Sequence, residues 1–351
     1  MSTMVQKIFV GISGGVDSSV AAYLLKEQGH EVHGIFVKTW SPEWIPCTWI
    51  DEKRDAMRVC AALDIPFHFL DATDQYKQGV ADYMISEYRA GRTPNPDVLC
   101  NRVVKFGAMW QYAKSHGADA LATGHYAQLI DGKLVQGIDA SKDQSYFLWM
   151  LTNDDLKRAF FPVGHLQKPE VRAIAQRAGL MTATKKDSQG ICFLGEVDMR
   201  EFLAHYIDEK PGDVVNTRGE KVGEHDGVYF HTLGERHGFR ITKGSTDQKP
   251  YYVVGKDIER NILVVSHNAK NVDAKNGEVT LVLRDTNWLE TTADHALYTA
   301  QIRYHGEQLP VCIVDETHVR LSYDGVISLG QSLVLYKDTV LVGGGVIDQV
   351  L

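Results

Sequence analysis

Gly11-Ile12-Ser13-Gly14-Gly15-Val16-Asp17-Ser18-Ser19 follows directly on the apolar run 8–10 and opens a helical pattern. Glycines at 11, 14 and 15 let the main chain turn tightly and aim successive N–H groups at one point. Ser13, Ser18 and Ser19 add hydroxyl donors at a helix N-terminus, where the helix dipole favours an anion. No Gly-Lys-Ser/Thr follows, so the stretch is not a Walker A loop, and it lacks the GxGxxG spacing of a dinucleotide site. A plain glycine turn with a serine cap requires far less than this. The stretch reads as a phosphate cradle between a strand and a helix.

The surrounding sequence fits that reading. Apolar runs at 8–12, 32–37, 67–70 and 120–123 have strand length, and helical patterns occupy 18–28, 52–63, 76–89 and 103–116. Such alternation predicts an α/β fold, a parallel sheet with helices on both faces, with ligands beyond the carboxyl ends of the strands. Beyond Pro211 short alternating segments are separated by Arg218-Gly219, Asp226-Gly227, Asn276-Gly277 and Asp324-Gly325 turns, and helical periodicity is absent. The expected organisation is a catalytic domain over 1–205, a small β-rich domain over 206–275 and a barrel-like domain over 276–351.

A chain of 351 residues with 44% apolar and 23% charged residues can bury full cores without staples. It has no apolar run of membrane-spanning length and no signal-peptide pattern, so the cytoplasm is the expected compartment. The net charge of −8 gives no overall attraction to nucleic acid. Any RNA contact has to use local patches such as Arg89, Arg92, Arg102 and Lys105, or Lys168, Arg172, Arg177, Lys185 and Lys186.

Five cysteines without close pairs exclude both a secreted disulfide framework and a CxxC zinc site. Cys60 shares a helical stripe with Ala56, Val59 and Leu63, and Cys312 lies in an apolar strand, so both are expected in cores. Cys100 and Cys192 differ. The first closes Thr93-Pro94-Asn95-Pro96-Asp97-Val98-Leu99-Cys100, whose prolines predict an extended loop before a helix near Val103. The second lies in Lys185-Lys186-Asp187-Ser188-Gln189-Gly190-Ile191-Cys192. Nearby cations and a helix start favour a thiolate at such positions.

The nonapeptide resembles the PP-loop of N-type ATP pyrophosphatases, which implies ATP cleavage between the α and β phosphates, with Asp17 helping to orient Mg2+. Together with Thr93–Asn101, Ala122-Thr123-Gly124-His125-Tyr126, Lys142-Asp143-Gln144-Ser145-Tyr146 and Asp187–Phe193, it is similar in content and order to the bacterial tRNA-specific 2-thiouridylase family. The resemblance covers Lys7 to about Gly345. It implies a nucleophile at Cys100 and a persulfide at Cys192, with Asp97 placed for acid–base work. ATP contacts would fall on Gly11, Ile12, Ser13, Gly14, Gly15, Val16, Asp17, Ser18, Val37 (usually Met in the family) and Gly124. Target-base and tRNA contacts would fall on Asn95, Pro96, Asp97, His125, Lys142, Asp143, Gln144, Arg303, Tyr304 and Gln331. The implied partners are tRNAs for Lys, Glu and Gln, modified at uridine 34, and a persulfide carrier protein.

Two rival readings remain open at this point. Another PP-loop ligase or amidotransferase would act on a small molecule and leave both cysteines without a role. A sulfur carrier or RNA-binding protein would have no use for an intact loop. His225, His231 and His237 recur every six residues and read as the polar face of one strand, not as a metal site, for no carboxylate or cysteine accompanies them at ligand spacing. Trp40, Trp44 and Trp49 read as loop packing or as stacking partners for a base.

Overall fold

The computed structural model describes residues 4–45, 49–187, 198–242, 249–268, 277–291 and 297–351. Five parallel strands form the first sheet: β1 (Lys7–Gly11), β2 (Glu31–Lys38), β3 (Phe67–Asp71), β4 (Ala120–Ala122) and the late strand Ala159–Phe160. Their order is β3-β2-β1-β4 and then Ala159–Phe160. Because side chains alternate along a strand, β1 feeds two cores at once. Ile8 and Val10 pack with α1 (Val16–Glu27), α2 (Trp49–Ala62) and the Lys168–Arg177 helix, while Phe9 packs with the helices over 73–89 and 96–115. Cys60 lies in the first of these cores, as its stripe predicts, and burial pushes its thiol up to about 12.

The second sheet joins Arg240–Ile241, Lys221–His225, Gly212–Asn216, Ile262–Ser266 and Tyr252–Asp257 around a small core of Val214, Val222, Val253, Leu263 and Val265. In the third sheet, Glu278–Trp288 pairs with both His318–Ser322 and Val340–Val350, which closes a barrel. Cys312 is exposed on it, a correction to the core placement expected above. Its strand, Leu309–Ile313, alternates buried and accessible positions, so a continuous apolar run does not mean two buried faces.

The N-terminal part contributes to that third sheet. The hairpin β5 (Ala127–Ile130) and β6 (Lys133–Gln136) adds to the barrel through Val340 opposite Val135. Polar contacts reinforce the junction: Trp149 donates to Ser332 Oγ at 3.0 Å, Tyr146 to the Ser332 carbonyl at 2.8 Å, and Asn287 to the Trp149 carbonyl at 2.7 Å. Glu87, 4% exposed, receives both Arg92 and Arg284. Burial alone would raise its carboxyl, but the two guanidinium groups outweigh that and hold it below the usual range. Among the described residues no helix is long and apolar enough to cross a membrane.

Candidate active site

The glycine-serine loop sits where a parallel sheet presents ligands, beyond the carboxyl ends of β1 and β4. Ile12 N–H still belongs to the sheet, donating to the Ile35 carbonyl at 2.9 Å. Gly14 then takes φ +74°, and a Cβ there would meet the Glu52 carbonyl oxygen at 2.9 Å, so the position requires glycine twice over. Gly15 is the N-cap of α1 and has no side chain to satisfy the first amides. Those amides have no intrahelical acceptor and are left for a ligand. Ser18 and Ser19 turn their hydroxyls back onto the Gly15 carbonyl at 3.2 and 2.7 Å, which shapes the loop from inside.

Gly124 follows β4 and lies against the first turn of α1. A Cβ on it would stand 2.7 Å from Ser18 N and 2.8 Å from the Asp17 carbonyl carbon. His125 is buried beside it, with Thr123 Oγ1 2.7 Å from Nδ1 and Lys105 Nζ 3.1 Å from Nε2. Burial first, then the Lys105 charge, push its pKa well below the ordinary histidine value. The ring is therefore neutral, Nε2 accepts from the lysine, and Nδ1–H donates to Thr123. Val37 is buried one residue before the end of β2, with its side chain in the core that includes Phe9 and Ile35.

The cysteine segment departs from expectation. Helix begins at Pro96, not near Val103, and runs through Pro96–Leu99, Cys100–Met109 and Trp110–Ser115. Proline is at home in the first helical turn, where its missing N–H costs nothing. Asp97 therefore stands in the first turn, half-buried, and Cys100 one turn in at 0% exposure. From Cys100 onward the hydrogen bonds widen to i→i+5, a rare π-helical register that also occurs here at Lys77–Ala81. The same helix places Lys105 against His125 and Met109 against Gly11, 3.2 Å from where a Cβ would be. Cys192, the second candidate, lies outside the described residues, as does Cys47.

The positions assigned to tRNA divide into two kinds. Asp143 is buried, accepting from Gly137 N–H at 2.8 Å, Ser145 Oγ at 2.9 Å and Gln136 Nε2 at 3.2 Å. Gln144 accepts from Tyr126 N–H at 3.1 Å. Gln331 donates to the Thr93 and Pro94 carbonyls at 2.8 and 3.3 Å, tying the barrel to the loop ahead of Asn95. The Asn95 side chain bonds the Tyr146 hydroxyl. These groups tie neighbouring segments together. Arg303 is exposed and Lys142 partly so, and both can reach a ligand. Tyr304 packs 4.2 Å from the Phe147 ring; burial, then Asp143 and Asp97, push its phenol up to about 12. A cleft of about 490 Å³ opens beside it, lined by Gln128, Gln136, Gln301, His305 and Gln308.

Most cations of the two expected RNA patches are spent internally. Arg92 pairs with Glu87, Arg102 donates to the Met150 carbonyl at 2.6 Å, Lys185 bonds Asp55 at 2.7 Å, and Lys168 and Arg172 both hold Asp187. His225 and His231 are buried in the second sheet region and His237 is exposed, so the three do not share one strand face. Among the described residues no group of three His, Cys, Asp or Glu could hold a metal ion. Trp40 packs on Phe202 and Tyr206, and Trp44 stacks on His205 at 3.8 Å.

The tRNA-specific 2-thiouridylase MnmA of Colwellia psychrerythraea is 43% identical to this chain over 98% of it and 96% of the relative. The chain belongs to the tRNA-specific 2-thiouridylase family. The Shigella flexneri member is 42% identical over 99% of this chain and 98% of its own. The tRNA methyl transferase HUP domain family matches residues 6–196, its PRC-barrel domain 200–267, and the aminomethyltransferase beta-barrel domain 278–347. Among solved structures, the U34-tRNA thiolase NcsA of Methanococcus maripaludis is similar over 53% of this chain and 60% of its own, at 21% identity and a TM-score of 0.35. With 2-thiouridylase membership in place, the small-molecule ligase reading falls away.

In sequence Lys168 falls in an RNA patch and Tyr126 and Asp187 fall within motifs, with no sign that Lys168 and Tyr126 meet Asp17 or that Asp187 holds Lys168. Lys168 Nζ lies 2.8 Å from both Asp17 oxygens and 2.9 Å from Asp187, while Tyr126 donates its hydroxyl to Asp17 at 2.8 Å. Burial, then the Asp17 charge, push the Tyr126 phenol far up, so it stays a donor. Burial alone would raise Asp187, yet Lys168 and Lys142 hold its carboxyl below the usual range. One signal for Lys168 was available. It opens a helix, where a cation opposes the dipole and needs another reason to be there.

Proposed function

We propose that this enzyme uses ATP to 2-thiolate uridine 34 of tRNA, acting on the Lys, Glu and Gln acceptors. The uracil O2 attacks the α-phosphorus of ATP held by Gly11–Ser18, and pyrophosphate leaves. The O2–AMP group then makes C2 an electrophile. The terminal sulfur of a Cys192 persulfide displaces AMP, and the Cys100 thiolate attacks the Cys192 sulfur, releasing the 2-thiouridine and leaving a disulfide for an external thiol to reduce. Alternatively, Cys100 first frees sulfide from the persulfide, and the sulfide displaces AMP. Asp97 handles protons near the base, and a carrier protein loads the persulfide.

What carries this reading is the single helix over 96–115. It holds Asp97 and Cys100 at its start, meets His125 through Lys105, and rests Met109 on Gly11 of the loop. Nucleophile and phosphate cradle thus share one rigid support, the condition for bringing an activated base and a sulfur together.

ATP–pyrophosphate exchange with and without unmodified tRNA tests it. Exchange that depends on tRNA is expected; exchange driven by a small molecule alone, or none, refutes it. A second expectation concerns the interface. Affinity for tRNA should fall steeply with salt although the chain carries −8. Arg303→Ala should lower the salt slope by about one unit. Lys142→Ala should lower it less, because Lys142 also bonds Asp187 at 3.2 Å. A flat salt dependence for the parent enzyme rejects RNA as substrate.

A further inference from the structure

Resemblance assigns Asp17 to a magnesium ion, but its surroundings fit a different cation. Both carboxylate oxygens lie 2.8 Å from Lys168 Nζ, and one also accepts from Tyr126. Lys168 is only 9% exposed, its N–H bonds Asp139 at 3.0 Å, and its ammonium lies 5.6 Å from the centre of the Tyr126 ring. A divalent ion on Asp17 would have to displace the lysine and the tyrosine together. The residues present do not offer Asp17 to a metal.

We propose that Lys168 is the resident counter-ion of Asp17, a positioning residue that makes the loop able to accept a polyphosphate. This rests on the nucleotide reading of the loop given above. Asp17 is the second residue of α1, so its carboxylate stands beside the amides that must bind phosphate. Unneutralised, it would compete for those amides and repel the ligand. Lys168 removes that repulsion, while Asp187, itself held by Arg172 and Lys142, keeps the lysine in place from behind. With Asp139 beside them, Lys168, Arg172 and Lys142 balance three carboxylates, so the cluster presents no unpaired negative charge to an anion at the loop.

The test is calorimetric binding of pyrophosphate and of the α,β-methylene analogue of ATP to the full-length enzyme without tRNA. Each probe is measured in EDTA and again with magnesium. Lys168→Met should weaken both probes about 100-fold, the size expected for an uncompensated carboxylate about 6 Å from a phosphate at an effective dielectric near 20. Lys168→Arg should stay within about fivefold of the parent. Asp17→Asn should bind as tightly as the parent or more so, and Asp17→Asn with Lys168→Met should recover most of the loss.

A ligand role for Asp17 toward magnesium predicts the reverse: Asp17→Asn loses magnesium-dependent binding, and Lys168→Met retains it. Either result overturns the proposal. A purely structural lysine predicts a lower Tm in Lys168→Met with no recovery in the double variant, which also overturns it. If the parent binds neither probe, the nucleotide reading falls as well. If the parent binds and Lys168→Met binds equally, this inference alone falls.

Discussion

Gly124→Ala is expected to lower tRNA-dependent ATP–pyrophosphate exchange about 100-fold while leaving tRNA affinity within about twofold. The new methyl would lie 2.7 Å from Ser18 N and 2.8 Å from the Asp17 carbonyl carbon. Both are main-chain atoms of the α1 first turn, so no flexible side chain can give way. Relief requires the turn itself to shift, and the amides that cradle phosphate shift with it. Overpacking of this kind costs about 1–3 kcal/mol of stability, which lowers the melting temperature by no more than about 10 °C. The catalytic loss exceeds the stability loss because positioning within about 1 Å matters more to the reaction than to the fold. Exchange within twofold of the parent would remove Gly124 from the nucleotide site.

The second large effect concerns sulfur. Cys192→Ser is expected to abolish thiolation yet keep adenylylation, since activating the base needs only ATP and the loop. Cys100→Ser should accumulate persulfide on Cys192 without turnover, read by mass spectrometry after sulfur loading. The burial of Cys100 adds a sharper expectation. At 0% exposure it should resist iodoacetamide in the free enzyme, while exposed Cys312 is labelled early. Bound tRNA should make Cys100 reachable, because a disulfide with Cys192 needs Cα atoms roughly 4.4–6.8 Å apart and an attacking thiolate with access. Normal thiolation by both variants, or persulfide confined to Cys47, Cys60 or Cys312, defeats the relay.

The loop, the parallel sheet and the β-rich second half were legible because their signals are local. Glycine and serine at a strand-to-helix turn, and apolar runs alternating with helical periods, carry their meaning within a dozen residues. The start of the Cys100 helix was not, although its cue was present. Pro96 admits two readings, extended chain before it or helix after it, and the structure takes the second. Cys312 was misplaced because Leu309–Ile313 is apolar on both faces, but only one faces the barrel core. For Asp143 and Gln331 the family resemblance implies tRNA contacts, and tertiary structure adds that both also hold loops. Lys168 meets Asp17 across 151 positions, beyond the reach of any local pattern.

The β5–β6 hairpin has a consequence for how the protein is made. Its pairing partner, Val340–Val350, is the last strand of the chain. Glu87 likewise waits for Arg284, and Thr93 for the Leu329 carbonyl at 2.8 Å. While the chain is still being synthesised, the loop and its sheet can form, and the segment leading into Asp97 and Cys100 is held by contacts within the first domain, Arg92 to Glu87 and Asn95 to Tyr146. The remaining ties, from Arg284, Leu329 and Gln331, come with the barrel, so a chain stopped before residue 284 should keep the glycine-serine loop while the segment ahead of Cys100 is less firmly seated.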